Sequence, residues 1–280
     1  KYNRHIVILM CGIFGCIADD AAGKVLDGLR KLEYRGYDSA GLAAIFSPAD
    51  PSPIETERTT GYVSELVSKV NGRFDGAEIS IGHTRWATHG GVTDENAHPH
   101  SSEDGKITLV HNGIIENAAE LSNRLNNLGY TLSSETDTEV IVHLFDHEIK
   151  TQADGKSILD AFCTVISKLR GSWALAAIVS GHEGILVSRS GAPLVIGRGE
   201  SGISVSSDVL PFYGACSEVA YMNDGDNFLL TANGIVSQDD AEKPSFEVLE
   251  GIYDEEDPGN FPHMMLKEIH DQPTSLSNVL

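Results

Sequence analysis

The chain has 280 residues, 41% of them hydrophobic, with 41 acidic against 20 basic side chains and a formal charge of −21. That length and apolar content suit one large or two small globular domains and exclude a disordered chain. The negative field repels phosphate backbones, so nucleic acid is not an expected partner.

No apolar run approaches the roughly 20 residues of a membrane-spanning helix. The opening IVILM lacks the cleavage region of a signal peptide. No membrane partner and a cytoplasmic location are therefore expected. The acids are spread along the chain and densest at Glu255, Glu256 and Asp257. This spread suits a solvated acidic surface in a salt-rich cytoplasm, as in a halophile.

In chain order, residues 1–10 precede a Met10-Cys11-Gly12-Ile13 sequence and are expected to be an upstream extension, either a start-site artefact or a propeptide. CGIFGCIA predicts a buried strand, and Val25, Leu26, Leu29 and Leu32 fall at helical spacing across AAGKVLDGLRKLEY. GLAAIF, AEISIGHTR and KITLVHNG predict strands, the first ending in the SPADPSP turn cluster. ENAAELSNRLNNLG predicts a helix ended by Gly129, and DTEVIVHLFDHEIK one capped by Asp137 or Thr138. KSILDAFCTVISKLRG predicts a third helix closed by glycine. SWALAAIVS, GILVSRS, PLVIGRG, GISVSS, EVAYMND and NFLLTANG predict strands. Strands, a block of helices and more strands indicate a layered α+β architecture and not an alternating parallel fold. Past residue 236 the chain turns acidic and Pro/Gly-punctuated, and a linker is expected over 237–280.

The four cysteines, at 11, 16, 163 and 216, form no CxxC pair and no zinc-like spacing. Cys16 and Cys163 are expected to be buried small hydrophobes. Cys11, at a strand edge beside Gly12, has little steric cover. His98 and His100 share one face if extended and His111 is near, but no carboxylate or cysteine completes a familiar ligand set, so no metal and no cofactor are expected. EYRGYDSAG places Arg35 in a turn, and HTRWATHGG gathers two histidines, Arg85 and Trp86 at a strand exit.

Met-Cys-Gly-Ile at 10–13, LEYRGYDSAG at 32–41, HTRWATHG at 83–90, NAHPH at 96–100, VHNGIIEN at 110–117 and SETDTEV at 134–140 occur in one order. Over residues 10 to 230 this set resembles the glutaminase domains of the glutamine–fructose-6-phosphate aminotransferase family. HMMLKEIHDQP at 263–273 resembles the segment leading into that family's sugar-phosphate isomerase half.

The resemblance implies a class II, N-terminal-nucleophile amidotransferase domain over residues 11–236, folded as a four-layer αββα sandwich. It implies glutamine as substrate, fructose 6-phosphate as acceptor through a second half, and a homodimer in the longer enzyme. By the same resemblance Cys11 forms a glutamyl thioester, and the Asn112 side chain and Gly113 N–H stabilise the oxyanion. Arg85 holds the substrate α-carboxylate with Thr88 and His89 beside it, and Asp137 pairs with the α-ammonium. Arg35 steadies the Cys11 region, and Trp86 gates an ammonia path.

A thiol of pKa about 8.5 needs a base at neutral pH. In N-terminal-nucleophile enzymes that base is the residue's own α-amino group, of pKa about 8, which a peptide nitrogen cannot replace. Cys11 therefore works only as a first residue. Two other readings stand beside this one. Another class II amidotransferase, such as amidophosphoribosyltransferase, is opposed by YRGYDSAG with HTRWATHG. A non-catalytic regulatory domain of the same fold is opposed by the intact set of Cys11, Arg85, Asn112, Gly113 and Asp137.

Overall fold

The computed structural model describes residues 11–87, 90–200, 202–238 and 241–251, together with 266, 269, 270 and 272. Strand β1 (Gly12–Ile17) leads into α1 (Ala21–Leu32), and a 3-10 turn at Glu33–Arg35 returns the chain to β2 (Ser39–Ile45). Next come β3 (Glu55–Thr60), α2 (Val63–Val70), β4 (Ile79–Arg85), β5 (His100–Ser101) and β6 (Ile107–Ile115). Three helices follow: α3 (Ala118–Asn127), α4 (Asp137–Thr151) and α5 (Ile158–Ile166). The chain then runs through β7 (Gly171–Val179), β8 (Ile185–Ser190), β9 (Val195–Gly199), β10 (Gly202–Ser206) and β11 (Glu218–Tyr221). It continues with β12 (Asn227–Thr231), β13 (Gly234–Ser237) and β14 (Glu247–Val248).

Two antiparallel sheets result. One has the order β14-β11-β9-β10-β1-β4-β2-β3, the other β13-β12-β8-β7-β6-β5. Alternation along the strands divides their side chains between two apolar layers each. In β1 and β2, Ile13, Ala43 and Ile45 face the core between the sheets, while Phe14, Cys16, Leu42 and Ala44 pack with α1 and α2. In β6 and β7, Val110, Ala174, Ala176 and Ile178 enter the shared core, and Leu109, Leu175, Ala177 and Val179 pack with α3, α4 and α5. The outcome is an α+β sandwich of four layers, helix–sheet–sheet–helix, with both faces of both sheets covered.

Several expectations are corrected. Asp137 is the first residue of α4 and not its cap; Thr136 holds the cap position and makes no side-chain cap bond. Helix α5 stops at Ile166, before Gly171, which instead opens β7. Its start is the well-capped end, with Ser157 and Asp160 bonding each other's backbone N–H. Cys163 is half-buried, at the margin of the helical core. The compact unit runs to Leu249, beyond the expected boundary at 236, because β14 pairs with β11. Glu250–Leu280 is a second unit, in which residues 266, 269, 270 and 272 are helical. Residues 1–10 and most of the HMMLKEIHDQP motif, all but Leu266, Ile269, His270 and Gln272, lie outside the described residues. β3 and α2 were not expected: ETERTT is polar throughout, and α2 is only two turns long.

Candidate active site

Cys11 immediately precedes β1, whose register sets Gly12 opposite Thr84 and Ile13 opposite His83 on β4. A Cβ on Gly12 would lie 2.6 Å from Thr84 Oγ1 and 2.8 Å from Leu32 Cβ, so only glycine lets β1 enter between β4 and α1 here. This pairing carries the cysteine to the exit of β4. There the Trp86 backbone N–H donates to Cys11 Sγ at 3.2 Å, and the Trp86 carbonyl lies 3.6 Å from the same sulfur.

On the opposite sheet, β6 presents Asn112, whose Nδ2 donates to the Cys11 carbonyl at 2.7 Å. Its Oδ1 lies 3.0 Å from His83 Nε2. Gly113 follows at φ +126°, where a Cβ would fall 2.1 Å from the Ser172 carbonyl of β7. That conformation and that contact both require glycine.

Arg35 leaves the turn after α1 nearly buried. Its Nε donates to the Cys11 carbonyl at 3.3 Å, and its Nη1 pairs with Asp208 at 3.0 Å. Tyr34 donates to the same carboxylate at 2.9 Å. Cys11 is thus fixed through its carbonyl from two sides, by Asn112 of β6 and by Arg35 of the turn after α1.

Arg85 ends β4 and is 4% exposed, its Nη1 donating to the Gly91 carbonyl at 3.1 Å. The loop after it is tied down from α4's approach. Gly91 N–H and Asn96 Nδ2 both donate to Glu135 Oε2 at 3.0 Å, and Glu135 N–H donates to Asn96 Oδ1 at 2.9 Å. The half-buried Trp86 ring meets Tyr37 edge-on at 5.4 Å between centroids, and Tyr37 stacks on Tyr62. Asp137 Oδ2 accepts from the Ile115 N–H at 2.8 Å, binding the start of α4 to the end of β6. Thr88 and His89 lie outside the described residues.

The thiol's surroundings oppose one another. Burial is the largest influence and raises the Cys11 pKa; the negative charge of Asp38 raises it further, while the Trp86 N–H and the Arg85 charge lower it. The net shift is upward, so the resting group is a protonated thiol that needs a base to react. Among the described residues the sulfur's hydrogen-bond partners are backbone groups, with no imidazole among them.

Residues 83–213 match the family described as a glutamine amidotransferase domain. The chain carries a glutamine amidotransferase domain. Over 274 residues, 97% of the chain, it is 42% identical to the glutamine–fructose-6-phosphate aminotransferase (isomerizing) of Halobacterium salinarum. It is 41% identical over 275 residues to the enzyme of that name from Thermus thermophilus. The chain spans 44% of the length of each. Among solved structures, the glutamine phosphoribosylpyrophosphate amidotransferase from B. subtilis matches with a TM-score of 0.69 at 25% identity, over 81% of this chain and 49% of that one.

Sequence reasoning passed over several groups that build this amidotransferase domain's site. Asp38 accepts from the Ala87 N–H and from Ser39 Oγ, and its charge acts on Cys11. It lies inside the quoted YRGYDSAG motif, which was the available signal. Asp208 follows β10 in an unremarkable SSD sequence and becomes visible only once β10 pairs with β1. The histidines considered as metal ligands turn onto threonines instead. His98 Nε2 and His111 Nδ1 meet Thr138 Oγ1 at 2.8 and 3.1 Å, and His100 Nε2 meets Thr136 Oγ1 at 2.9 Å.

Proposed function

We propose that this domain hydrolyses glutamine through Cys11 and delivers the ammonia to a sugar-phosphate acceptor. One observation carries the reading: Asn112 Nδ2 reaches the Cys11 carbonyl at 2.7 Å while the Cys11 sulfur sits on the Trp86 N–H at 3.2 Å. A nucleophile and a carboxamide donor from two different sheets thereby share one small volume. An amide nitrogen carries two hydrogens, so Asn112 can hold the Cys11 carbonyl and an oxyanion together.

The Cys11 thiol gives its proton to the α-amino nitrogen of the same residue, once that nitrogen is a free terminus. The sulfur attacks the glutamine side-chain carbonyl, and the C=O electron pair moves onto oxygen. Asn112 Nδ2–H and Gly113 N–H stabilise that oxyanion, the two donors together supplying about 3 kcal/mol or more. The intermediate collapses, the C–N bond breaks, and the leaving nitrogen takes the proton back from the α-ammonium as ammonia. Water, deprotonated by the same amine, then attacks the thioester carbonyl and releases glutamate and the thiol. Arg85 binds the substrate α-carboxylate by its planar fork and Asp137 the α-ammonium. Thr88 and His89 complete that wall, Arg35 holds Cys11 in place, and Trp86 stands where the ammonia leaves.

The acceptor follows from the relatives' names: fructose 6-phosphate, bound by the half of those proteins that this chain does not span. A homodimer formed by that longer protein in the cytoplasm is part of the same reading. The test compares a form beginning at Cys11, verified by mass spectrometry, with one retaining residues 1–10. Glutamate release and alkylation of Cys11 by an electrophilic glutamine analogue are expected only of the first. Full activity in the extended form would remove the α-amino group as base.

A further inference from the structure

We propose that His83 is a positioning residue for the reaction: it fixes the Asn112 carboxamide so that the nitrogen, and not the oxygen, faces the nucleophile. This rests on the glutaminase reading above and adds to it a residue that contacts neither the substrate nor the sulfur.

The argument starts from two atoms that can only accept. His83 Nε2 lies 3.1 Å from the backbone carbonyl of His111 and 3.0 Å from Asn112 Oδ1. A carbonyl oxygen has no proton to give, so Nε2 must carry the hydrogen and share it between them. With a donor on that side, the Asn112 oxygen is the end that faces His83. At the other end, the Cys11 carbonyl 2.7 Å from Nδ2 is again an acceptor, so the NH₂ must point there. Both ends of the carboxamide are therefore determined, and by independent parts of the fold: Cys11 before β1, His83 within β4.

The two anchors differ in permanence. The Cys11 end belongs to the reacting residue, and its NH₂ must take on the oxyanion as a second acceptor during the reaction. The His83 end lies between the sheets, is fully buried, and stacks on the His98 ring at 4.2 Å between centroids. Burial pushes the His83 pKa down to about 3, so the ring stays neutral and keeps one hydrogen throughout the working range of pH. A buried neutral imidazole with a single allowed tautomer holds the carboxamide oxygen in place while the other end gains a second partner.

The experiment uses two variants and one direct observation. His83→Met removes the donor at similar length, and His83→Gln restores an amide N–H near the position of Nε2. In His83→Met, kcat for glutamine hydrolysis falls about 10-fold to 100-fold, with KM within about twofold, because an oxyanion donor acts beyond the ground state. Iodoacetamide labelling of Cys11, which needs no oxyanion donor, stays within about twofold. His83→Gln recovers kcat to within about fivefold of the parent. Wild-type kcat in His83→Met, a His83→Gln no better than His83→Met, or labelling that falls together with kcat each overturns the proposal.

Independently of activity and of any variant's folding, ¹⁵N-histidine NMR of the intact chain reads the tautomer. His83 protonated at Nε2 is expected, and protonation at Nδ1 overturns the proposal. A parent protein with that tautomer and no glutaminase activity would instead count against the proposed function alone.

Discussion

The Trp86 N–H donates to the Cys11 sulfur across 3.2 Å, which makes the exit of β4 the immediate environment of the nucleophile. The two charges that act on the thiol, Asp38 and Arg85, lie at that strand end or beside it. Arg85 precedes Trp86, and Asp38 takes the N–H of Ala87 while its own N–H donates to the Arg85 carbonyl at 3.1 Å. The resting Cys11 thiol is therefore governed first by burial, and then by a short stretch of backbone and two opposite charges.

Replacing Asp38 with Asn tests that balance. The carboxylate raises the Cys11 pKa by repelling the thiolate, so its loss moves the thiol pKa down. The pH profile of iodoacetamide labelling at Cys11, quantified on the Cys11 peptide, is expected to shift to lower pH. An unchanged or upward-shifted profile would show that Asp38 acts only through its hydrogen bond to Ala87.

Asn112→Ala removes a donor whose target exists only after attack. The expected result is a fall in kcat of about 100-fold to 1,000-fold with KM for glutamine nearly constant. Steady-state glutaminase kinetics read both. A raised KM at unchanged kcat would reassign Asn112 to ground-state binding.

Most of the architecture was legible because its strands are long and apolar. GLAAIF, AEISIGHTR and SWALAAIVS declare themselves by β-branched and small apolar residues bounded by turns. β3 did not, since ETERTT is an edge strand whose polar side chains carry no burial signal. β14 is two exposed residues, recognisable only from its pairing with β11. The site divides in the same way. Cys11, Arg85, Asn112, Gly113 and Asp137 stood out through motif resemblance. Asp208 and the orientation of His83 depend on which strands become neighbours, a long-range outcome that local pattern does not encode.

Arg85→Lys keeps the charge and loses the planar fork. If the guanidinium grips the glutamine carboxylate by two parallel bonds, KM rises roughly 10-fold to 100-fold while kcat changes little. Glutaminase kinetics with an unchanged KM would rule out Arg85 as the carboxylate clamp. Its bond to the Gly91 carbonyl would then be its main role, and the variant's cost would appear as a lowered Tm.

The buried histidines predict how the fold responds to acid. His83 and His100 are held down to about 3, and His98 well below its ordinary value, in each case chiefly by burial. An unfolded imidazole takes up its proton near pH 6.5, so below that pH the unfolded chain binds protons that the folded chain refuses. Stability therefore falls as pH drops through the window from about 6.5 to 3, and is fully present above it. Each imidazole contributes a slope of about 1.4 kcal/mol per pH unit, so the three together reach about 4 kcal/mol per unit. Against a total stability of about 5 to 15 kcal/mol, a drop of about two pH units below 6.5 is enough to unfold a domain at the lower end of that range. Urea unfolding at pH 7, 6 and 5 measures the slope. His100→Gln removes one titrating ring while leaving an amide to meet Thr136, and its slope should be shallower by about 1.4 kcal/mol per unit. Equal slopes in the parent and in His100→Gln between pH 6 and 5 would mean that His100 accepts its proton in the folded state, and that the pocket beside Thr136 tolerates the charge.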